Sequence, residues 1–527
     1  MKNSLANDFG RIRSFFWPIY PSECRLVIPM LLMFFLVCFN YSIIRCIKDS
    51  IVITAAGAEV LPFIKVWVLL PMAVLLTYIF IQLTHRFSYE KVVYIMTSSF
   101  LVFYLLFAFV LYPARDYIHP HSLAETLEAA LPRGFRGLIS MFRYWSFTGF
   151  YVVVELWGSI ILSVLFWGFA NEVTKVTEAR RYYGVISVGS NLAAFLAGQA
   201  ANYFSMGEIY NANLPFGQTA WEQTLMILVI LVVICGIIIM GIFRWLNQNV
   251  LKDRRFDHFH ESEPKINKKR KLSVRESLTY LKNSKYLACI AILVISYNLA
   301  IGLVEIIWKD QLSILYPSPA DFNRYMNNLT STGGMISTII AFFLPWFMSK
   351  CGWTKTALLT PLIILVTSVG FFIVLFVQNS FSHAFFTALG TSPLGLVVFF
   401  GALQNCLSKA AKYSVFDTTN NISFIPLEHD IKLNGKAAID GVGSRFGKFG
   451  GSLLYQGLLM FFGGIIACAP YVGAIVLAVI ILWVVSTQSL GNQFEALVKE
   501  TKNKEGDRVT AREEREPLVT DKHPVTV

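Results

Sequence analysis

Charge is scarce in this chain. Asp, Glu, Lys and Arg supply 15% of its 527 residues, against 55% hydrophobic residues and a mean hydropathy of +0.56. A soluble domain carries about 25% charged residues, so a chain wetted over its whole surface is excluded. Paired cysteines are missing as well. The eight cysteines (24, 38, 46, 235, 289, 351, 406, 468) form no CxxC and mostly fall in or beside apolar runs, where cysteine behaves as a small hydrophobe. No disulfide, metal site or cofactor is expected. Nor is there an HExxH, a GxSxG or a soluble domain larger than the central connector, so a membrane enzyme or receptor acting at its surface lacks its chemistry. The nearest approach to a P-loop fails on spacing: Gly441 and Gly447 enclose five residues, and Phe449 follows Lys448 where Ser or Thr is required. No enzymatic activity is expected.

Long apolar runs are what the chain has. Taking a span as about 20 apolar residues predicts twelve: 26–44, 62–83, 92–112, 145–170, 183–203, 223–246, 286–307, 333–349, 357–378, 390–407, 445–467 and 469–487. The fold class is therefore an all-α polytopic membrane protein of about 12 transmembrane helices. The first run begins only after Arg25 and lacks a small-x-small site, so it is expected to stay as a helix and not act as a cleaved signal. Six spans on each side of a polar connector give an N-terminal half (1–246), a basic connector (247–285), a C-terminal half (286–490) and a tail (491–527) expected to be disordered. The flanks that would share a side with both termini hold 33 of the 45 Lys and Arg, which predicts cytoplasmic termini. A net charge of +12 also invites a nucleic-acid reading. The densest block, Lys265 to Lys271 (KINKKRK), instead lies between spans, where it sets topology and meets anionic lipid, so no nucleic-acid partner is expected.

Four charges lie in or at the edges of the apolar runs: Lys48, Glu155, Glu305 and Lys448. An uncompensated charge at bilayer depth costs roughly 2.5–3.5 kcal/mol on insertion scales, so such residues face a wet cavity or a partner. They point to an anion transporter. Glu155, in YVVVELWGSIILSVLFWGF, has no counter-charge within a helical turn, so its partner comes from another helix or from the cargo. Arg45 and Lys48 lie three residues apart on one helical face, as do Arg445 and Lys448 in a glycine-rich stretch expected to pack closely. A planar fork beside a mobile ammonium suits phosphate; snorkelling at the membrane edge is the plainer alternative. Lys65 is expected to reach the interface and stays outside the set. Trp157 and Trp308, close to the two glutamates, offer faces for a nucleobase, and either glutamate could instead carry a coupling proton. Span 1 exits through Lys48-Asp49 and span 7 through Lys309-Asp310, a faint internal echo.

At these residues the chain resembles the nucleotide transporter family, the ATP/ADP translocases of plastids and of obligate intracellular bacteria such as chlamydiae. The resembling stretches are NYSIIRCIKDSIVITAAGAEVLPFIKVW, ELWGS, FWGFANEVT, LVEIIWKDQL, GALQNCLSKAAKYSVFD, ISFIPLEHDIKLNGKAAID and GKFGGSL. By that resemblance Lys48, Glu155, Glu305 and Lys448 match the four charges the family needs for transport, and the fold is similar to the major facilitator superfamily, with spans 1, 4, 7 and 10 lining a cavity. Two departures stand out: Arg45-Cys46-Ile47-Lys48-Asp49 replaces the exchangers' R-D-T-K-D, and Gly447-Lys448-Phe449-Gly450-Gly451 replaces G-K-S-G-G. SYNLAIGLVEIIWKDQ and AIDGVGSRFGKFGGSLLYQGLL look closer to the proton-coupled importers of chlamydiae. The resemblance thus implies an inner-membrane importer of nucleotides (ATP, ADP, other NTPs or NAD) working by alternating access with protons as co-substrate. ATP/ADP-type or NAD/ADP exchange is the alternative.

Overall fold

Hydrocarbon leaves no backbone group free to pair with water, so each apolar run closes its hydrogen bonds within a helix. The computed structural model describes residues 19–174, 176–207, 209–251, 284–380, 386, 390–427, 435, 436, 439 and 443–513. All its long elements are helical. In chain order they are α1 (Cys24–Ala56), α2 (Val60–Arg86), α3 (Tyr89–Leu111), α4 (Trp145–Val173), α5 (Val176–Tyr203), α6 (Ala220–Val250) and α7 (Lys285–Leu315). A 59-residue stretch, Pro319–Val377, turns back at Gly352, giving α8 (319–351) and α9 (353–377). Then follow α10 (Pro393–Ser423), α11 (Ser444–Phe462) and α12 (Ile465–Glu513). Each of the twelve expected spans has a helical counterpart among the described residues; most run beyond their apolar runs, but α11 stops at Phe462, short of the expected 467.

Local signals set the ends. Thr219, Ser284, Ser318 and Ser392 accept the first free amides of α6, α7, α8 and α10, the usual task of an N-cap hydroxyl. Gly352 (φ 79°) and Gly463 (φ 73°) take left-handed backbone where α8 meets α9 and α11 meets α12, which a side chain would resist. Three helices contain a π segment beside a charge of interest: Ile64–Leu69 in α2, Gly158–Phe166 in α4 and Lys412–Phe416 in α10. The extra residue per turn re-aims the side chains around it.

The halves meet along two seams. In one, α5 lies on α8 through Gly198, whose hydrogen faces the Asn327 carbonyl and Ser331 Oγ, and Gly334, where a Cβ would come 2.7 Å from Phe195 N. Small residues let the backbones close, and Ser331 then donates to the Phe195 carbonyl at 2.8 Å. Gly198→Val forces that seam apart; overpacking of this kind costs about 1–3 kcal/mol or more. Detergent-solubilised Gly198→Val is expected to unfold several degrees below wild type in a thermal-shift assay, and an unchanged midpoint would remove the seam from the stability argument. In the other seam α11 meets the start of α2: Gln456 donates to the Pro62 carbonyl (2.8 Å) and accepts from Trp67 Nε1 (3.2 Å), while a Cβ on Gly134 would come 2.5 Å from Met460 Cα. This seam closes the end of the molecule remote from the termini. Towards the terminal end the two helices part, for Leu70–Arg86 has no buried residue and Arg445, Phe446 and Lys448 are exposed. Between the halves, Glu155, Glu305 and Lys409 keep 27%, 18% and 21% of their side-chain surface exposed, so a solvent-reached chamber separates them there.

Between α3 and α4 a short hairpin, His121–Ala130 and Arg136–Arg143, is clamped by Arg143 on Glu125 (3.0 Å) and Glu128 (3.5 Å). Burial, helped by His121, lowers the His119 imidazole to about 4, so it stands neutral against Ser146 Oγ at 2.7 Å. The tail departs from expectation. Its apolar content falls, yet α12 continues to Glu513, because Ala, Glu, Lys and Arg are strong helix formers whatever their polarity. Most of the basic connector, the 428–434 segment and everything after 513 lie outside the described residues.

Candidate functional site

Charges from α1, α4, α7 and α10 converge at mid-chamber in one chain of ion pairs. Lys48 Nζ lies 2.7 Å from Asp49 Oδ1 and 3.0 Å from Glu155 Oε1. Asp49 Oδ2 holds Lys309 at 2.9 Å; Lys309 reaches Glu305, one helical turn earlier, at 3.2 Å; and Lys409 of α10 meets the same carboxylate at 3.2 Å. Lys48 also sits 3.8 Å over the Tyr151 ring. Three lysines and three carboxylates alternate, so the set is neutral, and neutrality is what lets Lys48 and Asp49 stand at 1% and 2% exposure. Stripping one partner from such a buried pair costs about 3–5 kcal/mol, because a bare charge is left in a dry setting.

A second group of cations has no such partner. Arg45 and Lys65 are half-buried, Arg445 and Lys448 exposed, and none forms an ion pair among the described residues. They face the same chamber. The ionisable neighbours of Lys448 include Lys412, Glu155 and Tyr413; those of Arg45 include Tyr413, Tyr41 and Asp49; those of Lys65 are Glu305, Lys309, Glu155 and Lys48. Lys412, by contrast, is paired with Asp417 at 3.5 Å. A charge-balanced lattice with four uncompensated cations beside it suits a polyanion that arrives from outside the fold.

Residues 2–494 match the family described as TLC ATP/ADP transporter. "ADP,ATP carrier protein 1" of Chlamydia muridarum is 42% identical over 520 residues, covering 98% of this chain and 97% of that one. The chain belongs to the TLC ATP/ADP transporter family. "ADP,ATP carrier protein 1" of Chlamydia pneumoniae is 40% identical over 94% of this chain and 96% of its own, and "ADP,ATP carrier protein 1, chloroplastic" of Arabidopsis thaliana 38% over 92% and 77%. Among solved structures, a bacterial homologue of the iron transporter ferroportin in an inward-facing state covers 89% of this chain and 98% of that one at 14% identity and a TM-score of 0.48. The D-xylose-proton symporter covers 87% and 97% at 14% identity, with a TM-score of 0.47.

Within this family member, the structure gathers Arg45, Lys48, Glu155, Glu305, Arg445 and Lys448 around one chamber but divides them by state. Lys48, Glu155 and Glu305 are already paired. Arg45 and Lys48 are thus not two stacked free cations, since Asp49 and Glu155 occupy Lys48. The tryptophans go elsewhere. Trp157 is fully buried against Phe100 (5.7 Å, edge-on) and Tyr104 (6.0 Å), and Trp308, also fully buried, donates Nε1 to the Val398 carbonyl at 3.1 Å. Trp157, two residues after Glu155, lies on a different face of its helix, whereas Trp308, three residues after Glu305, is taken up by its buried hydrogen bond to α10. Lys65 departs from expectation the other way: it lies in the π segment Ile64–Leu69 with Glu305, Lys309, Glu155 and Lys48 as its ionisable neighbours, so it stands near the ion-pair chain and does not reach out to the interface. Asp49, Lys309 and Lys409 were missed as members. The Lys-Asp echo between spans 1 and 7 was the signal for Asp49 and Lys309, for both echoed lysines bind Asp49, whereas Asp310 turns aside to Gln311 at 3.1 Å. The glycine-rich start of α11 does pack closely: a Cβ on Gly447 would come 2.8 Å from Asn298 Cβ of α7.

Proposed function

We propose that the chain exchanges nucleoside di- and triphosphates across a bacterial inner membrane by alternating access, with Arg45, Lys65, Arg445 and Lys448 receiving the phosphates. The observation that carries this reading is the surplus of unpaired cations around a neutral ion-pair lattice in a solvent-reached chamber. The bias of 33 of the 45 Lys and Arg suggests that both termini are cytoplasmic. The named relatives are ADP,ATP carriers. Exchange also suits Glu155 and Glu305, since each is engaged by lysine and neither is a free acid. Moving a polyanion into an inside-negative cell costs about 2.3 kcal/mol per charge per 100 mV. An outgoing nucleotide offsets that cost.

Proton-coupled import is the second reading, favoured by Cys46, Ile47 and Phe449, which replace an acid and two hydroxyls of the exchangers' motifs. Uptake of labelled ATP, ADP, other nucleotides and NAD into cells expressing the chain separates the two. Exchange requires nucleotide preloaded inside and ignores a protonophore. Uptake into empty cells that collapses with protonophore and grows as outside pH falls would overturn exchange in favour of symport. Release of product without accumulated label would point to an enzyme.

A further inference from the structure

Asp49–Lys309 is the one ion pair joining the two halves among the described residues. It lies at the dry centre of the chain of charges. Side-chain exposure is 2% for Lys48 and Asp49 and 5% for Lys309, but 27% for Glu155, 18% for Glu305 and 21% for Lys409. A molecule in the chamber can therefore touch the ends of the lattice and not its middle.

We infer that Asp49–Lys309 is a latch that keeps the empty carrier closed on the side remote from the termini, and that a substrate phosphate releases it by drawing Lys409 away from Glu305. This rests on the proposed carriage of nucleotides. Lys309 is shared between two carboxylates, Asp49 at 2.9 Å and Glu305 at 3.2 Å. While Lys409 also serves Glu305, Lys309 can remain on Asp49. Once a phosphate takes Lys409, Glu305 depends on Lys309 alone, and Asp49 retains Lys48 at 2.7 Å. The inter-half bond then opens with Glu305 on Lys309 and with Asp49 and Glu155 sharing Lys48, so the C-terminal half is left with one lysine for its one carboxylate. With the chamber empty, parting the halves leaves that same shared Lys48 in one half but strands two lysines on Glu305 in the other, an excess cation away from water that a phosphate would otherwise meet. The same asymmetry ties opening to occupancy, which exchange without leak requires. Nearby polar contacts between α1 and α8, Ser50 Oγ to Asn323 Oδ1 (3.3 Å) and Cys46 Sγ to Thr330 Oγ1 (3.4 Å), are between neutral groups and carry no such penalty.

Lys309→Gln tests the latch most gently, because Asp49 keeps Lys48 and Glu305 keeps Lys409. The measurement is efflux of preloaded labelled ADP from proteoliposomes, with and without unlabelled ADP outside. Wild type should show efflux stimulated at least about tenfold by outside nucleotide, and Lys309→Gln should bring that ratio close to one by raising the unstimulated rate; Lys309→Arg should restore it. A residue with a merely structural role would lower both rates and leave the ratio unchanged, which would overturn the proposal. Should Lys309→Gln fail to reach the membrane, Asp49→Asn serves in the same assay. A separate measurement needs no transport: the distance between spin labels at exposed Tyr117 and Pro317, one in each half, should lengthen in the nucleotide-free variant. No nucleotide efflux from wild type would defeat the proposed cargo; a normal wild-type ratio with unchanged variants and label distance would defeat the latch alone.

Discussion

Membranes carrying Lys48→Gln are expected to take up labelled nucleotide about a hundredfold more slowly than wild type. Lys48 is the only basic partner of Glu155 among the described residues and one of two on Asp49. Glutamine leaves Glu155 bare at the chamber wall, and losing one side of a buried pair costs about 3–5 kcal/mol, where 1.36 kcal/mol is a factor of ten in rate. The loss follows from an orphaned carboxylate, so it should be partly reversible. Lys48→Gln with Glu155→Gln removes both charges and should recover some uptake or membrane abundance relative to Lys48→Gln alone, a coupling that a double-mutant cycle reads directly. Uptake above half of wild type in Lys48→Gln, measured at matched protein level, would show that the pair bears no part of transport.

How much of this was legible in the sequence depends on where each charge stands. Glu155 was legible because nothing in its own helix can answer it, and the answer duly comes from Lys48 of α1. Glu305 was legible as a carboxylate inside an apolar run, but its partners, Lys309 one turn on in the same helix and Lys409 of α10, were not. Lys309 stands near the exit of an apolar run, where a lysine reads as snorkelling to the surface, and only the helix beyond the run, continuing to Leu315, keeps it inside. Lys409 and Lys65 were hidden by the same edge effect, since hydropathy marks where a run ends and not where the helix does. The π segments in α2, α4 and α10 compound this: an inserted residue changes which face a side chain takes, and no periodicity in the sequence announces it. The tryptophans failed for a geometric reason. Trp157 is two residues from Glu155, a spacing that turns it to another face and to Phe100, while Trp308 is held by the backbone of α10, a partner distant in sequence. The twelve helices themselves were secure, because hydrocarbon permits a long apolar run little else.

Lys448→Gln is expected to act through affinity, and this separates it from Lys48. Lys448 is exposed at the start of α11 and forms no ion pair among the described residues, so its removal orphans no carboxylate. Protein level and thermal stability should stay near wild type. What the chamber loses is one of the unpaired cations, and a hydrogen bond to a charged group is worth about 1.5–3 kcal/mol. Since each 1.4 kcal/mol is tenfold, the apparent KM for nucleotide uptake should rise roughly ten- to a hundredfold. Raising the outside concentration should recover much of the maximal rate in Lys448→Gln, as it cannot in Lys48→Gln. Lys448→Arg should keep KM within a few fold, for a guanidinium meets phosphate as well as an ammonium does. Screening offers a further check: an exposed cation is weakened by salt more than a buried pair, so the KM gap between wild type and Lys448→Gln should narrow as ionic strength rises. A KM unchanged from wild type would take Lys448 out of the phosphate site, and an unstable Lys448→Gln protein would mean that this lysine, like Lys48, already has a partner within the fold.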